Sequence, residues 1–111
     1  RQHCIQFLLK IKNVPLGFIQ VEKKLNVNNT EKRYDLVVFK PDMSIMVLIE
    51  CKAPQVNLTQ KTFDQIARYN TVLKSDYLVL TNGLIHFFYK MDFKKGQYLF
   101  LPDLPTYNSS E

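Results

Sequence analysis

The chain has 111 residues, enough for one domain with its own core. At 46% hydrophobic and 23% charged it has ordinary globular composition, and fifteen Lys and Arg against ten Asp and Glu leave a net charge of +5, a mild bias toward a polyanionic partner. Apolar runs of about five residues are far too short for a membrane span, three glycines leave no glycine-rich phosphate loop or nucleotide site, and Cys4 and Cys51 form neither a disulfide framework nor a zinc motif.

Free thiols point to a reducing compartment, hence the cytoplasm. His3 and His86 lie far apart with no metal-ligand spacing and read as surface or edge-strand residues. The chain opens at Arg1 inside an apparent helix, so a fragment of a longer protein is expected, forming a single domain over 1–111.

In chain order, residues 1–12 place Cys4, Ile5, Leu8, Leu9 and Ile11 on a helical stripe closed by Asn13 and Pro15. Residues 18–27 alternate apolar and polar and predict a short helical turn or strand leading into a strand, before a turn at Asn28-Asn29-Thr30. Residues 34–40 (YDLVVFK) and 45–52 (IMVLIECK) read as strands joined by a turn at 41–44, an antiparallel hairpin. Pro54 ends the second strand, and Asn57 or Thr59 caps a helix over 60–74, with Asn57 and Gln60 resembling a capping box. That helix carries Phe63, Ile66, Ala67, Asn70 and Leu73 on one face. Residues 77–81 and 84–90 are strands joined by an Asn82-Gly83 hairpin turn, and 102–111 read as a loop-like tail. A strand, a crossover helix and a further strand imply a parallel pair in a mixed sheet flanked by helices, an α/β fold bordering on α+β.

The chemistry gathers at the open end of the central hairpin, where the start of one strand lies beside the end of the other. Strand alternation puts Glu50 and Lys52 on one face and turns Cys51 to the other. Pairing about the centre of the 41–44 turn sets Asp35 opposite Glu50, with Cβ atoms ~5 Å apart. Two like charges so placed are unfavourable unless a cation lies between them. Mg²⁺, with Mn²⁺ able to substitute, takes oxygen ligands from one or two carboxylates, and the Cys51 backbone carbonyl is placed to add a third oxygen. Lys52 beside such an ion could orient or deprotonate a water, or neutralise a phosphate: the parts of metal-assisted phosphodiester hydrolysis. The plain alternative is a surface ion pair, since Asp…Glu-x-Lys occurs often by chance. On the helix, Gln65 and Tyr69 lie four apart on one face, flanking the apolar stripe, with a half-buried structural pair as their plain reading. Lys10, Lys12, Lys23, Lys24, Lys32, Arg33, Lys61, Arg68 and Lys74 could contact a nucleic-acid backbone without sequence preference.

The run RYDLVVF…VLIECKAP…TFDQIARYN…YLVLTNG resembles the PD-(D/E)xK nuclease superfamily, and more narrowly the N-terminal nuclease domain of type I restriction enzyme R subunits, from about Glu22 to Lys90. The resemblance implies a restriction-endonuclease-like core, a central four-stranded mixed sheet flanked by helices. It implies a Mg²⁺-dependent endodeoxyribonuclease acting on double-stranded DNA, alongside motor, methyltransferase and specificity partners. Asp35, Glu50 and Lys52 take the metal-binding and water-activating positions, and Glu22 that of an accessory metal ligand. Gln65 and Tyr69 match the family's Gln-x-x-x-Tyr motif, linked to catalysis and DNA positioning, with Lys61 and Arg68 on the same helix. The proline usual before the first acid is absent, and Tyr34 stands there. The alternative is a non-cleaving nucleic-acid- or partner-binding module on the same fold.

Overall fold

The computed structural model describes residues 14–104. A 3-10 turn, Leu16–Phe18, leads into strand β1 (Ile19–Val27). Then follow β2 (Thr30–Phe39), β3 (Ile45–Cys51), the helix α1 (Gln60–Leu73), β4 (Tyr77–Thr81), β5 (His86–Asp92) and β6 (Gln97–Leu101). The strands form one six-stranded sheet in sequence order, antiparallel except for the parallel pair of β3 and β4.

The expected fold needs correction. The sheet has six strands rather than four, and among the described residues one α-helix rather than several flanks it, which makes the architecture α+β. The helix expected over 1–12 lies outside the described residues. No described helix is long and apolar enough to cross a membrane.

The extra strands have local causes. Asn28 and Asn29 both adopt left-handed backbone (φ 50° and 67°), and the Val27↔Thr30 pair closes a two-residue turn over them, so all of 19–27 is drawn into a hairpin with β2. Strand β6 follows a turn in which the Asp92 carboxylate accepts from the N–H groups of Lys94 and Lys95 and Gly96 supplies a φ of 64°. Its alternation is masked in sequence by consecutive large apolar residues, Tyr98 to Leu101.

Two element ends also shift. Asn82 accepts from Leu84 N–H and Ile85 N–H, and its amide donates to Val56 O, so residues 82–85 form one anchored turn and β5 starts at His86 rather than at 84. The helix is capped by Thr59, not Asn57: Thr59 Oγ1 accepts from Thr62 N–H and Thr62 Oγ1 from Thr59 N–H. Lys74, in left-handed backbone, ends it.

The sheet buries both faces. On one, Val37, Phe39, Leu48, Leu78 and Leu80 pack with Tyr34 beneath Ile66 of α1, with Phe63 and Leu73 at the margin. On the other, Ile19, Leu36, Val38, Val47, Ile49 and Val79 are closed over by Val14 and Leu104. Asn70 sits in the buried stripe of α1 for its amide: it accepts from Ser75 N–H, and donates to Ser75 O and to the Tyr98 hydroxyl (2.8, 3.0 and 2.9 Å), tying the end of the helix to β6.

Candidate active site

The β2–β3 ladder runs Val38↔Val47, Val37↔Leu48 and Leu36↔Ile49, the register that counting from the turn predicts, and shifts to Phe39↔Ile45 beside the turn. It ends at Leu36↔Ile49, one residue short of Asp35 and Glu50. The turn itself is held by Asp42, whose carboxylate accepts from both the N–H and the hydroxyl of Ser44.

Asp35 is half-buried and its Oδ2 accepts from the backbone N–H of Cys51 at 2.8 Å. The carboxylate thus fastens the middle of β2 to the last residue of β3. Glu50 is 8% exposed and lies on the α1 side of the sheet with Leu48, opposite Leu80 of β4. Its Oε2 accepts from Lys32 Nζ at 3.0 Å. The Lys52 N–H donates to Thr81 O at 2.7 Å, which carries the parallel ladder one residue past Cys51, so Lys52 shares Glu50's face by alternation. Lys52 is half-buried and its ammonium makes no hydrogen bond or ion pair among the described residues. The Cys51 thiol is turned to the opposite face and packs against the cluster around Ile49 and Val79.

Glu22 belongs to the same row in a less regular way. The β1–β2 ladder runs from Val21↔Leu36 to Lys23↔Tyr34 and skips the pair between them, Glu22 and Asp35. Glu22 has φ 53°, a left-handed conformation unusual for a residue with a side chain. On β2 the alternation breaks at the same place: Leu36 and Val38 face one way, Val37 and Phe39 the other, yet Tyr34 packs with Val37 rather than with Leu36. An irregularity of this kind re-aims the side chains beside it, here Asp35. Glu22 is exposed, and among the described residues no three His, Cys, Asp or Glu side chains gather closely enough to hold a metal.

On α1, Gln65, Lys61 and Arg68 are exposed and Tyr69 is half-buried. The Tyr69 ring lies 5.9 Å from Lys32 Nζ, which brings Tyr69, but not the exposed Gln65, to the Glu50 ion pair through one lysine.

Two residues at the site escape the sequence reading. Lys32 counts there only as a possible phosphate contact, and Tyr34 only as the residue in a proline's place. In the structure Lys32 Nζ also lies 5.0 Å from the Tyr34 ring centre. Tyr34 is fully buried, and its hydroxyl is the one buried side-chain polar atom without a hydrogen-bond partner among the described residues. Burial first, and the Glu50 charge second, hold its pKa above the usual phenol range, so the hydroxyl stays neutral. The signal for Lys32 lies in Asn28-Asn29: a two-residue turn there sets Lys32 and Tyr34 two apart on one strand face, beside the strand that ends in Glu50.

A profile of the family described as type I restriction enzyme R protein N terminus (HSDR_N) matches residues 1–105. Among solved structures, a fragment assigned as an HsdR subunit of a type I restriction enzyme from Vibrio vulnificus YJ016 superposes with a TM-score of 0.59 at 19% identity. The match covers 92% of this chain and 22% of that one, a likeness of fold. Comparison with curated proteins gives no significant match.

Proposed function

This chain belongs to the type I restriction enzyme R protein N-terminal family, and from that membership we propose that it is a Mg²⁺-dependent endodeoxyribonuclease domain with a PD-(D/E)xK site. The observation that carries the proposal is the β2–β3 register, which ends at Leu36↔Ile49 and leaves Asp35 and Glu50 as the next residues on adjacent strands, with Lys52 two residues beyond the second acid.

The donor set fits a hard divalent cation. Mg²⁺ is usually held by one or two carboxylates plus water and substrate phosphate. Asp35 and Glu50 would hold it, with the Cys51 carbonyl as a third oxygen; Glu22, exposed beside Asp35, is the accessory ligand of the reading. Bound there, the ion supplies Lewis-acid polarisation of the phosphate and a lowered pKa for its water.

The remaining roles belong to the chain. Lys52 orients the attacking water, accepts its proton or neutralises phosphate charge. Gln65 and Tyr69 position the DNA strand over the sheet end, and Lys61 and Arg68 contact its phosphates. The substrate is double-stranded DNA, and the setting is a restriction subunit acting with motor, methyltransferase and specificity components.

Calorimetric titration of Mg²⁺ or Mn²⁺ beside Asp35→Asn tests the metal site, and nicking of plasmid DNA beside Lys52→Ala tests the chemistry. We expect Asp35→Asn to lose metal binding. Lys52→Ala is expected to keep metal binding and lose cleavage by at least about 10²-fold, the lower range for a general acid–base group. Cleavage by Lys52→Ala at the parent rate would remove Lys52 from the site.

A further inference from the structure

The acid at the centre of the proposed site already holds a cation. Lys32 Nζ sits 3.0 Å from Glu50 Oε2 and 3.2 Å from the Arg33 carbonyl, over the rings of Tyr34 and Tyr69. Its side chain is 25% exposed, against 10% for Glu50. A carboxylate as buried as Glu50 needs a positive partner, and in this arrangement Lys32 provides it.

The grip is partial. One ammonium touches one carboxylate oxygen, and the two rings add face contacts that hold a cation without fixing its direction. A lysine is a strongly hydrated point charge on a flexible stem, unlike the bidentate fork of an arginine. A divalent ion brings twice the charge to the same oxygens, so the two cations compete for Glu50.

The way out for the ammonium is also built. Lys32 stands on the β1–β2 hairpin, on the face it shares with Tyr34 and, across the ladder, Lys23. Lys23 is exposed, as are Lys61 and Arg68 on α1. An ammonium leaving Glu50 joins a surface already positive, where a polyanion would lie.

We propose that Lys32 is a displaceable cation of the site: it neutralises Glu50 while no metal is bound, and yields that carboxylate to the metal and turns to a DNA phosphate when the site is loaded. This rests on the metal-binding reading above. It makes Lys32 a positioning residue, and it couples metal occupancy to DNA affinity through a single side chain.

The test is a pair of measurements on the full chain and on Lys32→Gln, which keeps a hydrogen bond to Glu50 without the charge. Calorimetry with Mg²⁺ alone should show the variant binding about fivefold tighter or more, the upper range for relief of a competing ion pair. Binding to a DNA duplex, with Ca²⁺ replacing Mg²⁺ so that the strand stays whole, should weaken in the variant. The slope of log affinity against log salt should fall by about 0.9, one phosphate contact, with metal and stay unchanged without it.

Equal Mg²⁺ affinities in the two proteins, or equal salt slopes with metal bound, overturn the proposal and leave the metal site standing. No Mg²⁺ binding by either protein overturns the metal reading itself. If Lys32→Gln fails to fold, Lys32→Arg replaces it: a bidentate guanidinium on Glu50 should weaken Mg²⁺ binding by about fivefold or more, and unchanged affinity overturns the displacement.

Discussion

The β2–β3 hairpin and the β5–β6 hairpin share one antiparallel pattern and opposite surroundings. In the first, Leu36, Val37 and Val38 are fully buried and Leu48 and Ile49 nearly so, because α1 covers one face and Val14 and Leu104 the other. In the second, Phe87, Tyr89 and Phe100 pack on one another with ring centres 5.6 to 6.4 Å apart, and Phe100 remains 62% exposed on the edge strand. Burial on both faces makes polar residues costly, and those at the open end of the first hairpin are partnered: Asp35 by the Cys51 N–H and Glu50 by Lys32. At the second hairpin the side chains are mostly half-buried, with Phe88 packed on one face and Phe87 and Tyr89 on the other, and polarity there carries little information.

Four substitutions would break or sharpen that contrast. Leu48→Ala should cost about 3 kcal/mol in urea unfolding, since the site cannot collapse between sheet and helix; a loss under about 1 kcal/mol would mean the central hairpin is packed no better than the edge. Asn70→Ala should cost about 2 kcal/mol, because Ser75 loses partners for both its backbone groups. Hydrogen exchange in β6 should speed up with it, as the Tyr98 hydroxyl loses its anchor; unchanged protection there would separate β6 from the helix. Tyr34→Phe should raise stability by roughly 1 kcal/mol by removing a buried hydroxyl that has no partner; a loss would reveal a partner for it. Phe100→Ser should change stability by less than about 0.5 kcal/mol and chiefly alter solubility.

The sequence exposes the parts of the molecule governed by short-range rules. The turn at 41–44 sets the β2–β3 register from Leu36↔Ile49 to Val38↔Val47 by counting, though not the shift to Phe39↔Ile45 beside the turn. The helix is legible from Phe63, Ile66, Ala67, Asn70 and Leu73, four of which, all but Ala67, meet the core as the 3.6-residue period requires. What escapes is set at longer range. The left-handed Glu22 and the broken alternation at Asp35 arise where β1 meets β2, and no local signal marks a non-glycine residue for that backbone. Strand β6 depends on contacts with β5 and on Asn70, 28 positions away. Lys32 looks like any exposed strand lysine until the sheet brings Glu50, 18 positions on, to its ammonium.

The bond from the Cys51 N–H to Asp35 has a consequence for how such a site can drift over time. The carboxylate reads main chain at position 51, and the thiol looks into an apolar layer on the far side of the sheet. The middle letter of Glu-x-Lys is therefore free to vary among small apolar residues, while the count of residues along the two strands is not. One residue gained or lost within 36–39 or 45–49 would turn Glu50 and Lys52 to the wrong face and leave Asp35 holding a different amide. Descent in this part of the chain should tolerate respelling and forbid changes of length.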